Sequence, residues 1–330
     1  MSDSDASLDL VSIGDLMIDF TCVGAGDSGM LRFERNPGGA PMNVAAQLSR
    51  LGGKAAAIAC VGADEHGDFL KDALLRLGVD VTNVRYCAAQ GTRILFVYFR
   101  DGGERYFADY RGPRADLEIP PDDIDYSRIG RARTLLTSPL CNTYNRPIYE
   151  TTRRALAEAE RHGVLLAFDA NYRFPYENDK LRQLDVEAIL GARILKMTSE
   201  EFAYYLGETD VIRGSERLLA GNASVVAVSM GRGGSLIHAR NGHAYRPAYA
   251  VNAIDTTGAG DSFMGALLYC LTRPGVDMDA LCAGDLGRVA DFANACAAAS
   301  TTRRGALLAM PDLAEAERIM AAVSRAPSVM

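Results

Sequence analysis

The alternation of short apolar runs with longer amphipathic segments is the feature that most constrains how this chain folds. Runs rich in Val, Ile, Leu and Ala occupy residues 8–14, 55–61 and 164–169, whereas apolar residues recur at helical spacing in 41–51 and 66–77. This order is typical of a parallel sheet covered by helices, so the sequence predicts an α/β fold. The pattern continues with predicted strands at 134–137, 193–197 and 224–229, helices at 147–161 and 199–206, and long helices beginning near Ala259 and Asp285.

Two aromatic and β-branched runs interrupt this alternation. Residues 93–100 and 104–110 flank the sequence D-G-G at 101–103, which favours a β-hairpin. Together with strand-like residues near Thr21 and Arg32, they could build a small antiparallel sheet beside the large one. A small sheet next to a large sheet encloses a cleft and could act as a lid, whereas an edge hairpin of the main sheet is the alternative.

Composition excludes several classes of protein. The 330 residues carry 35 basic and 42 acidic side chains, a net charge of −7, which argues against a protein that coats nucleic acid or an anionic membrane. The polar N-terminal residues do not resemble a signal peptide, and no uncharged apolar stretch is long enough to span a membrane. Seven cysteines without a C-x-x-C pair indicate free thiols in a reducing compartment, so a cytoplasmic protein acting on small molecules is expected.

The most informative motif is D-T-T-G-A-G-D at residues 255–261. Its glycines precede an apolar helix, where bare peptide amides at a helix N-terminus can hold an anion. A carboxylate among those amides would repel a bound phosphate. Asp261 is therefore interpreted as a base that takes a proton from a hydroxyl attacking phosphorus, although a simple helix-capping role is the alternative.

A second glycine-rich motif, G-G-A-P-M-N at residues 38–43, opens the helix that ends near Leu51. Paired glycines permit close approach of a ligand, and Asn43 offers both a donor and an acceptor to a polyol. A plain turn with Pro41 at the first helical position is the equally weighted alternative.

Polar residues also follow two predicted strands. The segments G-D-L-M-I-D at 14–19 and D-A-N-Y-R at 169–173 lie where parallel strands end, which is where ligands of such folds bind. Arg173 could clamp a phosphoryl group. Solvated strand-end residues are the alternative for each segment taken singly.

Other motifs fail on inspection. G-x-G-x-x-G at 24–29 is not followed by an apolar helix, no G-x-x-x-x-G-K-[ST] is present, and the four histidines lack metal-ligand spacing. The sequence therefore indicates neither a dinucleotide-binding protein nor a P-loop enzyme.

The two glycine motifs, in this order and about two-thirds of the chain apart, resemble the signatures of the ribokinase-like (PfkB) carbohydrate kinases. The resemblance covers residues 14–311. It implies one large three-layer αβα kinase domain, expected over 8–325, with a small antiparallel β-sheet lid drawn from roughly 19–35 and 91–112. It also implies ATP-dependent phosphorylation of a sugar hydroxyl.

The resemblance assigns roles to individual residues of the sugar and transfer sites. Asp261 would be the base, the amides of Gly258, Ala259 and Gly260 would form the anion hole, and Arg173 would balance charge. The sugar would be bound by a set of residues from the first motif, the lid and the D-x-N-x-R segment: Asp19, Gly38, Gly39, Asn43, Tyr98, Phe107, Arg111 and Asn171.

The nucleotide and metal sites are implied in the same way. Residues expected near ATP are Thr198, Ser229, Gly231, Gly234 and Asn294. Glu201 matches the glutamate of the family's N-x-x-E magnesium motif, in which Thr198 replaces Asn. A potassium ion would be held at Asp255, Thr257, Ser300, Arg303 and Gly305, while Ala309 replaces a serine ligand of some members.

Substrate identity rests on weaker signals. G-G-A-P, D-x-N-x-R and the Y-R-x-P-x-A-D match at 110–116 resemble fructokinases, so a fructokinase forming fructose 6-phosphate is the leading hypothesis. The 2-keto-3-deoxygluconate kinases share D-x-N-x-R, and Arg93, Arg105 and Arg111 could bind a sugar acid. A ribokinase or nucleoside kinase and a catalytically silent sugar-binding regulator are further alternatives. A homodimer is expected because lid strands of this family often pair.

Overall fold

The computed structural model describes residues 8–99, 105–109, 112–172, 178–322 and 324–325. In this part of the chain the main element is a nine-stranded sheet in the order β13-β12-β11-β10-β9-β8-β1-β4-β5. Its strands are β1 (Leu8–Ile13), β4 (Ala55–Gly62), β5 (Asp80–Cys87), β8 (Ala132–Thr137), β9 (Leu165–Asp169), β10 (Ile194–Thr198), β11 (Val225–Ser229), β12 (Ser235–Ala239) and β13 (Gly242–Arg246). Neighbouring strands from β5 to β11 run parallel, and the β11–β12 and β12–β13 pairs run antiparallel.

A second sheet has four strands, β2 (Met17–Ala25), β3 (Leu31–Gly38), β6 (Ile94–Phe99) and β7 (Arg105–Asp109), in the order β3-β2-β6-β7. The β6–β7 pair is antiparallel, as the hairpin pattern predicts, and the β2–β3 pair is antiparallel as well. The central β2–β6 pair is parallel, because the chain passes through the large sheet between these two strands. The turn at 101–103 lies outside the described residues.

Helices cover both faces of the large sheet. They are α1 (Ala40–Arg50), α2 (Glu65–Arg76), α3 (Pro147–His162), α4 (Asp179–Gly191), α5 (Ser199–Leu206), α6 (Val211–Leu219), α7 (Ala259–Leu271), α8 (Ala283–Ser300) and α9 (Leu313–Ala322). One apolar core joins α1, α2, α7, α8 and α9 to the sheet, and two further cores join α3 to α6 to its other face. The predicted three-layer α/β class is confirmed.

Strand β4 shows why the sheet takes this central position. All eight of its residues, A-A-A-I-A-C-V-G, are buried, which is characteristic of a parallel strand covered on both faces. Among the described residues, no helix combines the length and the apolar character that crossing a membrane requires.

Close packing of α1 against α7 brings the two glycine motifs together. A Cβ atom on Gly265 would lie 2.6 Å from Gln47 Cβ, so only glycine permits this helix separation. Gln47 Oε1 accepts a hydrogen bond of 2.7 Å from Ser262 Oγ, which fixes the relative register of the helices. The N-termini of α1 and α7 consequently lie side by side.

Sequence periodicity located most central elements within one or two residues but missed others. β5, β12 and β13 were not predicted, nor were α4, α6 and α9. β12 and β13 give a weak strand signal because S-L-I-H-A and G-H-A-Y-R are short and contain His, Gly and Arg. They are strands because the neighbouring β11 and α8 bury their apolar side chains.

Candidate active site

A cavity of about 770 Å³ lies between the four-stranded sheet and the carboxyl ends of the large sheet. Its wall includes residues from both glycine-rich regions, from the small sheet and from the strand ends. These are Asp15, Met17, Ala40, Arg93, Leu95, Arg114, Leu117, Ser138, Pro139, Leu140, Thr143, Asn171, Tyr172, Lys196, Thr256, Thr257, Gly258, Gly260 and Asp261. A volume of this size accommodates a small organic ligand.

Asp261 lies in the first turn of α7, on the wall of this cavity, with 4% of its surface exposed. Gly258 precedes the helix with φ of 78°, a left-handed conformation that glycine adopts without strain. The Ala259 N–H donates to Thr256 O at 3.3 Å, and the first amides of a helix lack intrahelical acceptors. Gly258, Gly260 and Asp261 all lie on the cavity wall, so the carboxylate and the helix N-terminus face the same space.

Asn43 joins the first motif to the second. Its Nδ2 donates a hydrogen bond of 2.8 Å to Asp261 Oδ2, across 218 residues of sequence. Asn43 is 3% exposed, and its Oδ1 is buried without a hydrogen-bond partner among the described residues. In that part of the chain this oxygen is an unsatisfied acceptor next to Asp261, and Asn43 itself lies just behind the residues that form the cavity wall.

The paired glycines at 38–39 pack closely against the chain at Asp15 and against the side chain of Asp19. A Cβ on Gly39, whose φ is 119°, would lie 2.2 Å from Asp15 O. A Cβ on Gly38 would lie 2.4 Å from Asp19 Oδ2, so Asp19, 6% exposed, packs directly on this turn. Asp15 reaches the cavity wall itself.

Lys196 is a site residue that the sequence reasoning missed. Its Nζ contacts both carboxylate oxygens of Asp169, at 3.0 and 3.2 Å, and both side chains are buried. Asp169 Oδ1 also accepts the N–H of Asn171, a non-glycine residue with φ of 30° on the cavity wall. A single lysine within the apolar strand I-L-K-M-T was the signal that could have identified it.

Glu201 forms a capping box with Thr198 at the start of α5. Its Oε2 accepts the Thr198 N–H at 2.7 Å, and Thr198 Oγ1 accepts the Glu201 N–H at 3.2 Å. Its Oε1 accepts the Tyr172 N–H at 2.7 Å. Glu201 therefore orders the loop after β9 as well as the helix.

Two arginines on the cavity wall share one carboxylate. Arg93 Nη1 lies 3.2 Å from Asp116 Oδ2, and Arg114 Nε lies 3.0 Å from Asp116 Oδ1. Asp116 is fully buried, whereas Arg114 keeps 27% of its side chain exposed. The sequence reasoning named Arg93 but missed Arg114, which occupies an unspecified position of the Y-R-x-P-x-A-D motif.

A second group of predicted residues lies at the ends of β10, β11 and β12. Thr198 and Ser229 are register partners. Glycine is needed at 234 because φ is 96° and because a Cβ would meet Arg246 O at 2.1 Å. Asn294 Nδ2 donates to Arg246 O at 3.0 Å. Gly231, with φ of 54°, begins the turn between β11 and β12. These residues are not on the wall of the 770 Å³ cavity.

The residues expected to bind a monovalent cation are also brought together. Asp255 Oδ1 accepts hydrogen bonds from Thr257 N and Oγ1, and its Oδ2 accepts one from Gly305 N at 3.3 Å. The Asp255 N–H donates to Thr301 O, next to Ser300. Arg303 directs its guanidinium away, to both carboxylate oxygens of Glu315.

Of the predicted lid residues of the sugar site, only Tyr98 has a side chain within the described part of the chain. Leu95 lies on the cavity wall, and because side chains alternate along a strand, Tyr98 lies on the opposite face, stacked on Phe96 and Tyr106. Tyr98 therefore does not close over the cavity. Phe107 pairs with Val97 in the register, but its side chain lies outside the described residues, as do Arg111 and Arg173.

No group of three or more His, Cys, Asp or Glu side chains in the described ranges could hold a metal ion alone. A divalent cation here would need oxygen ligands from a bound substrate and from water, which is the usual arrangement for magnesium at phosphates.

Comparisons with known proteins agree with this geometry. Residues 7–313 match the model of the pfkB family carbohydrate kinases. The chain is 33% identical over 321 residues to a probable fructokinase-5 of Arabidopsis thaliana, covering 96% of this chain and 98% of that protein.

Two solved structures show the same fold. Fructokinase from Xylella fastidiosa with bound ATP has a TM-score of 0.83 at 27% identity, covering 95% of this chain and 98% of that one. A double mutant of fructokinase from Vibrio cholerae O395, with fructose, ADP and potassium bound, has a TM-score of 0.80 at 26% identity, covering 96% and 99%. With both glycine motifs meeting at one cavity, the chain belongs to the pfkB family of carbohydrate kinases.

Proposed function

We propose that this protein is a fructokinase, which transfers the γ-phosphoryl group of ATP to the 6-hydroxyl of fructose. The observation that carries the proposal is the buried Asp261 carboxylate, oriented by Asn43 at the N-terminus of α7 on the wall of a ligand-sized cavity. One relative named above is a probable fructokinase, and the two solved structures are fructokinases, one with ATP and one with fructose, ADP and potassium.

In the proposed reaction Asp261 accepts the proton of the sugar hydroxyl as its oxygen attacks the γ-phosphorus. A new P–O bond forms to the sugar while the bond between the γ-phosphorus and the bridging oxygen breaks, and ADP leaves with that oxygen. The amides of Gly258, Ala259 and Gly260 are assigned to stabilise the charge on the transferring group. The Ala259 N–H would exchange its long 3.3 Å hydrogen bond to Thr256 O for one to the phosphoryl group. Arg173 is assigned to the same role.

Sugar binding is assigned to residues that pack around the first glycine motif. Asn43 Oδ1 is the acceptor for a sugar hydroxyl, since it is buried and lacks a described partner. Gly38 and Gly39 permit close approach, and Asp19 packs on their turn. Further contacts are assigned to Asn171, on the cavity wall, and to Phe107 and Arg111.

The nucleotide is assigned to the second group of residues, Thr198, Ser229, Gly231, Gly234 and Asn294. Glu201 is assigned to the magnesium shell; each of its oxygens accepts one backbone amide and keeps a lone pair that would hold a metal-bound water. Magnesium bound there with ATP would neutralise phosphate charge. Potassium is assigned to Asp255 and Thr257 and to carbonyls near Ser300, Arg303 and Gly305, whose segments are hydrogen-bonded together.

A sugar acid such as 2-keto-3-deoxygluconate is the second candidate substrate. It is favoured by one observation, the presence of Arg93 and Arg114 on the cavity wall. Guanidinium groups held by a shared carboxylate are preorganised to bind a second carboxylate.

We further propose a cytoplasmic homodimer that binds no nucleic acid. The seven free cysteines fit a reducing compartment. The face of the small sheet opposite Leu95 carries an aromatic cluster of Phe20, Phe33, Phe96, Tyr98 and Tyr106, and Tyr106 is 39% exposed. Sedimentation at micromolar concentration should give twice the chain mass, and a monomer would contradict this assignment.

The proposal is tested by a coupled ADP-release assay at saturating Mg-ATP. Fructose, 2-keto-3-deoxygluconate, ribose and adenosine are compared by kcat/KM. We expect fructose to lead by about 100-fold, or ~2.7 kcal/mol of transition-state preference. Retained ATP affinity without phosphoryl transfer to any sugar of a broad panel would instead indicate a catalytically silent sugar-binding protein.

A further inference from the structure

Lys196 is a buried cation on the wall of the active-site cavity. It lies on β10 with 4% of its surface exposed, among the apolar residues Leu195 and Met197. Burying an ammonium group is costly unless nearby groups compensate it, so its position needs a reason. Asp169 supplies one compensating charge, at 3.0 and 3.2 Å.

The ammonium group lies directly against the N-terminus of α7. A Cβ atom built on Gly260 would be 3.1 Å from Lys196 Nζ and 3.7 Å from its Cε. Gly260 is the residue immediately before Asp261, and Lys196, Gly258, Gly260 and Asp261 all line the cavity. Lys196 therefore shares the space to which the helix N-terminus presents its amides.

Three carboxylates act on this lysine. Burial alone would lower the pKa of Lys196, but Asp169, Glu201 and Asp261 outweigh that effect and raise it above its ordinary value. The side chain is accordingly charged at neutral pH. Glu201 has both oxygens on backbone amides, so it contributes charge rather than a direct contact.

A purely structural role as the counterion of Asp169 does not account for the whole arrangement. An ammonium has three N–H donors, and among the described residues Asp169 is the one hydrogen-bond acceptor of Nζ. One donor thus remains for a ligand. A counterion alone could also lie away from the cavity, whereas this one lines it beside Gly260.

We propose that Lys196 is a catalytic residue that donates a hydrogen bond to the transferring γ-phosphoryl group, and that Asp169 positions it. This inference rests on the proposed kinase function. As the bond from the γ-phosphorus to ADP breaks and the bond to the sugar oxygen forms, the ammonium stabilises charge on the phosphoryl oxygens while Asp261 takes the hydroxyl proton.

The test uses four variants of the full chain. Lys196→Met removes the charge, and Lys196→Arg keeps it. Lys196→Met/Asp169→Asn removes both charges, so that no uncompensated carboxylate remains in the interior. Lys54→Met, at an exposed lysine, is the matched control. Thermal unfolding, kcat, KM for sugar, and the affinities for ADP and for ADP with aluminium fluoride are measured on each.

For Lys196→Met we expect kcat to fall by about 100- to 1,000-fold, the effect of removing one donor to transition-state charge, with sugar KM changed less than about threefold. Aluminium fluoride should no longer increase the affinity of this variant for ADP, whereas the affinity for ADP alone should equal that of the wild type. The double variant should be more thermally stable than Lys196→Met, but its kcat should stay as low. Lys196→Arg should retain about a tenth of wild-type kcat or more. Lys54→Met should match the wild type.

Recovery of kcat in the double variant to within about fivefold of wild type would overturn the inference, because Lys196 would then be only a counterion. If the wild-type protein phosphorylates no sugar, the proposed function fails by itself. The inference would then be judged on nucleotide binding alone. A loss of about tenfold in ATP affinity for Lys196→Met, with ADP affinity unchanged, would support the inference. ATP and ADP affinities that both equal those of the wild type would overturn it.

Discussion

The side-chain amide of Asn43 donates a hydrogen bond of 2.8 Å to the Asp261 carboxylate, joining residues 218 positions apart. This contact forms because α1 and α7 pack closely through Gly265 and Gln47. Asp261 itself lies on the wall of the cavity, which α1 also borders through Ala40. The orientation of the proposed base thus depends on a residue of the sugar-binding motif.

Replacing Asn43 by Ala should impair turnover more than folding. The carboxylate of Asp261 would lose its fixed orientation, and misplacement of a reacting group costs up to about 100-fold in rate. We expect kcat to fall by about 10- to 100-fold and sugar KM to rise, since Asn43 Oδ1 is also assigned to the sugar. Steady-state kinetics measure both, and unchanged kcat would show that Asp261 needs no such partner.

Gly39→Ala should destabilise the protein more than Gly52→Ala. Both glycines have positive φ, 119° and 92°, so alanine is strained at each by about 1–2 kcal/mol. Only at Gly39 would the new Cβ collide, 2.2 Å from Asp15 O, whereas nothing lies within 4 Å at Gly52. Urea unfolding compares the two variants. Equal losses in the free energy of unfolding would mean that the turn at 38–39 can relax. Of the two variants, only Gly39→Ala should also lose sugar binding.

Arg114→Gln should separate the two candidate substrates. A neutral sugar needs no cation at this position, so kcat/KM for fructose should stay within about threefold of wild type. Any kcat/KM for 2-keto-3-deoxygluconate should fall by about 10- to 100-fold, which is the effect of losing one hydrogen bond to a charged group. A large fall in kcat/KM for fructose with no change for the sugar acid would contradict both the fructose assignment and the carboxylate-binding role of Arg114.

Much of this architecture could be predicted from local sequence, for physical reasons. The motifs at 38–43 and 255–261 combine glycine backbone requirements with a helix start, and both features are local, so Gly39, Gly258 and Asp261 were identifiable. The β4 strand was equally clear because it is apolar throughout.

What could not be predicted depends on contacts distant in sequence. Lys196 and Asp169 are 27 residues apart, and only the parallel β9–β10 register brings them together. The face on which Tyr98 lies is set by the pairing of β6 with β2, which alternation alone leaves open. The Arg93–Asp116–Arg114 contact likewise needs the loop after β7 to return to β6.

Acid should weaken the junction between α8 and α9. Hydrogen bonds from Arg303 hold the pKa of Glu315 at about 2, below the ordinary value of 4.5. Because the folded state lowers this pKa, the contribution to stability is full above pH 4.5 and is lost as the pH falls toward 2. The stability difference between wild type and Glu315→Gln should shrink from pH 6 to pH 3 in thermal unfolding. A difference that stays constant over that range would show that the ion pair adds nothing.

The central claim, that Asp261 is the base of a sugar kinase, is tested most directly by Asp261→Asn in the ADP-release assay with fructose and Mg-ATP. Asparagine keeps the size of the side chain but cannot accept the hydroxyl proton. The account predicts a fall in kcat of about 100- to 10,000-fold, with fructose affinity within about threefold of wild type by calorimetry. Turnover by this variant near the wild-type rate would contradict it.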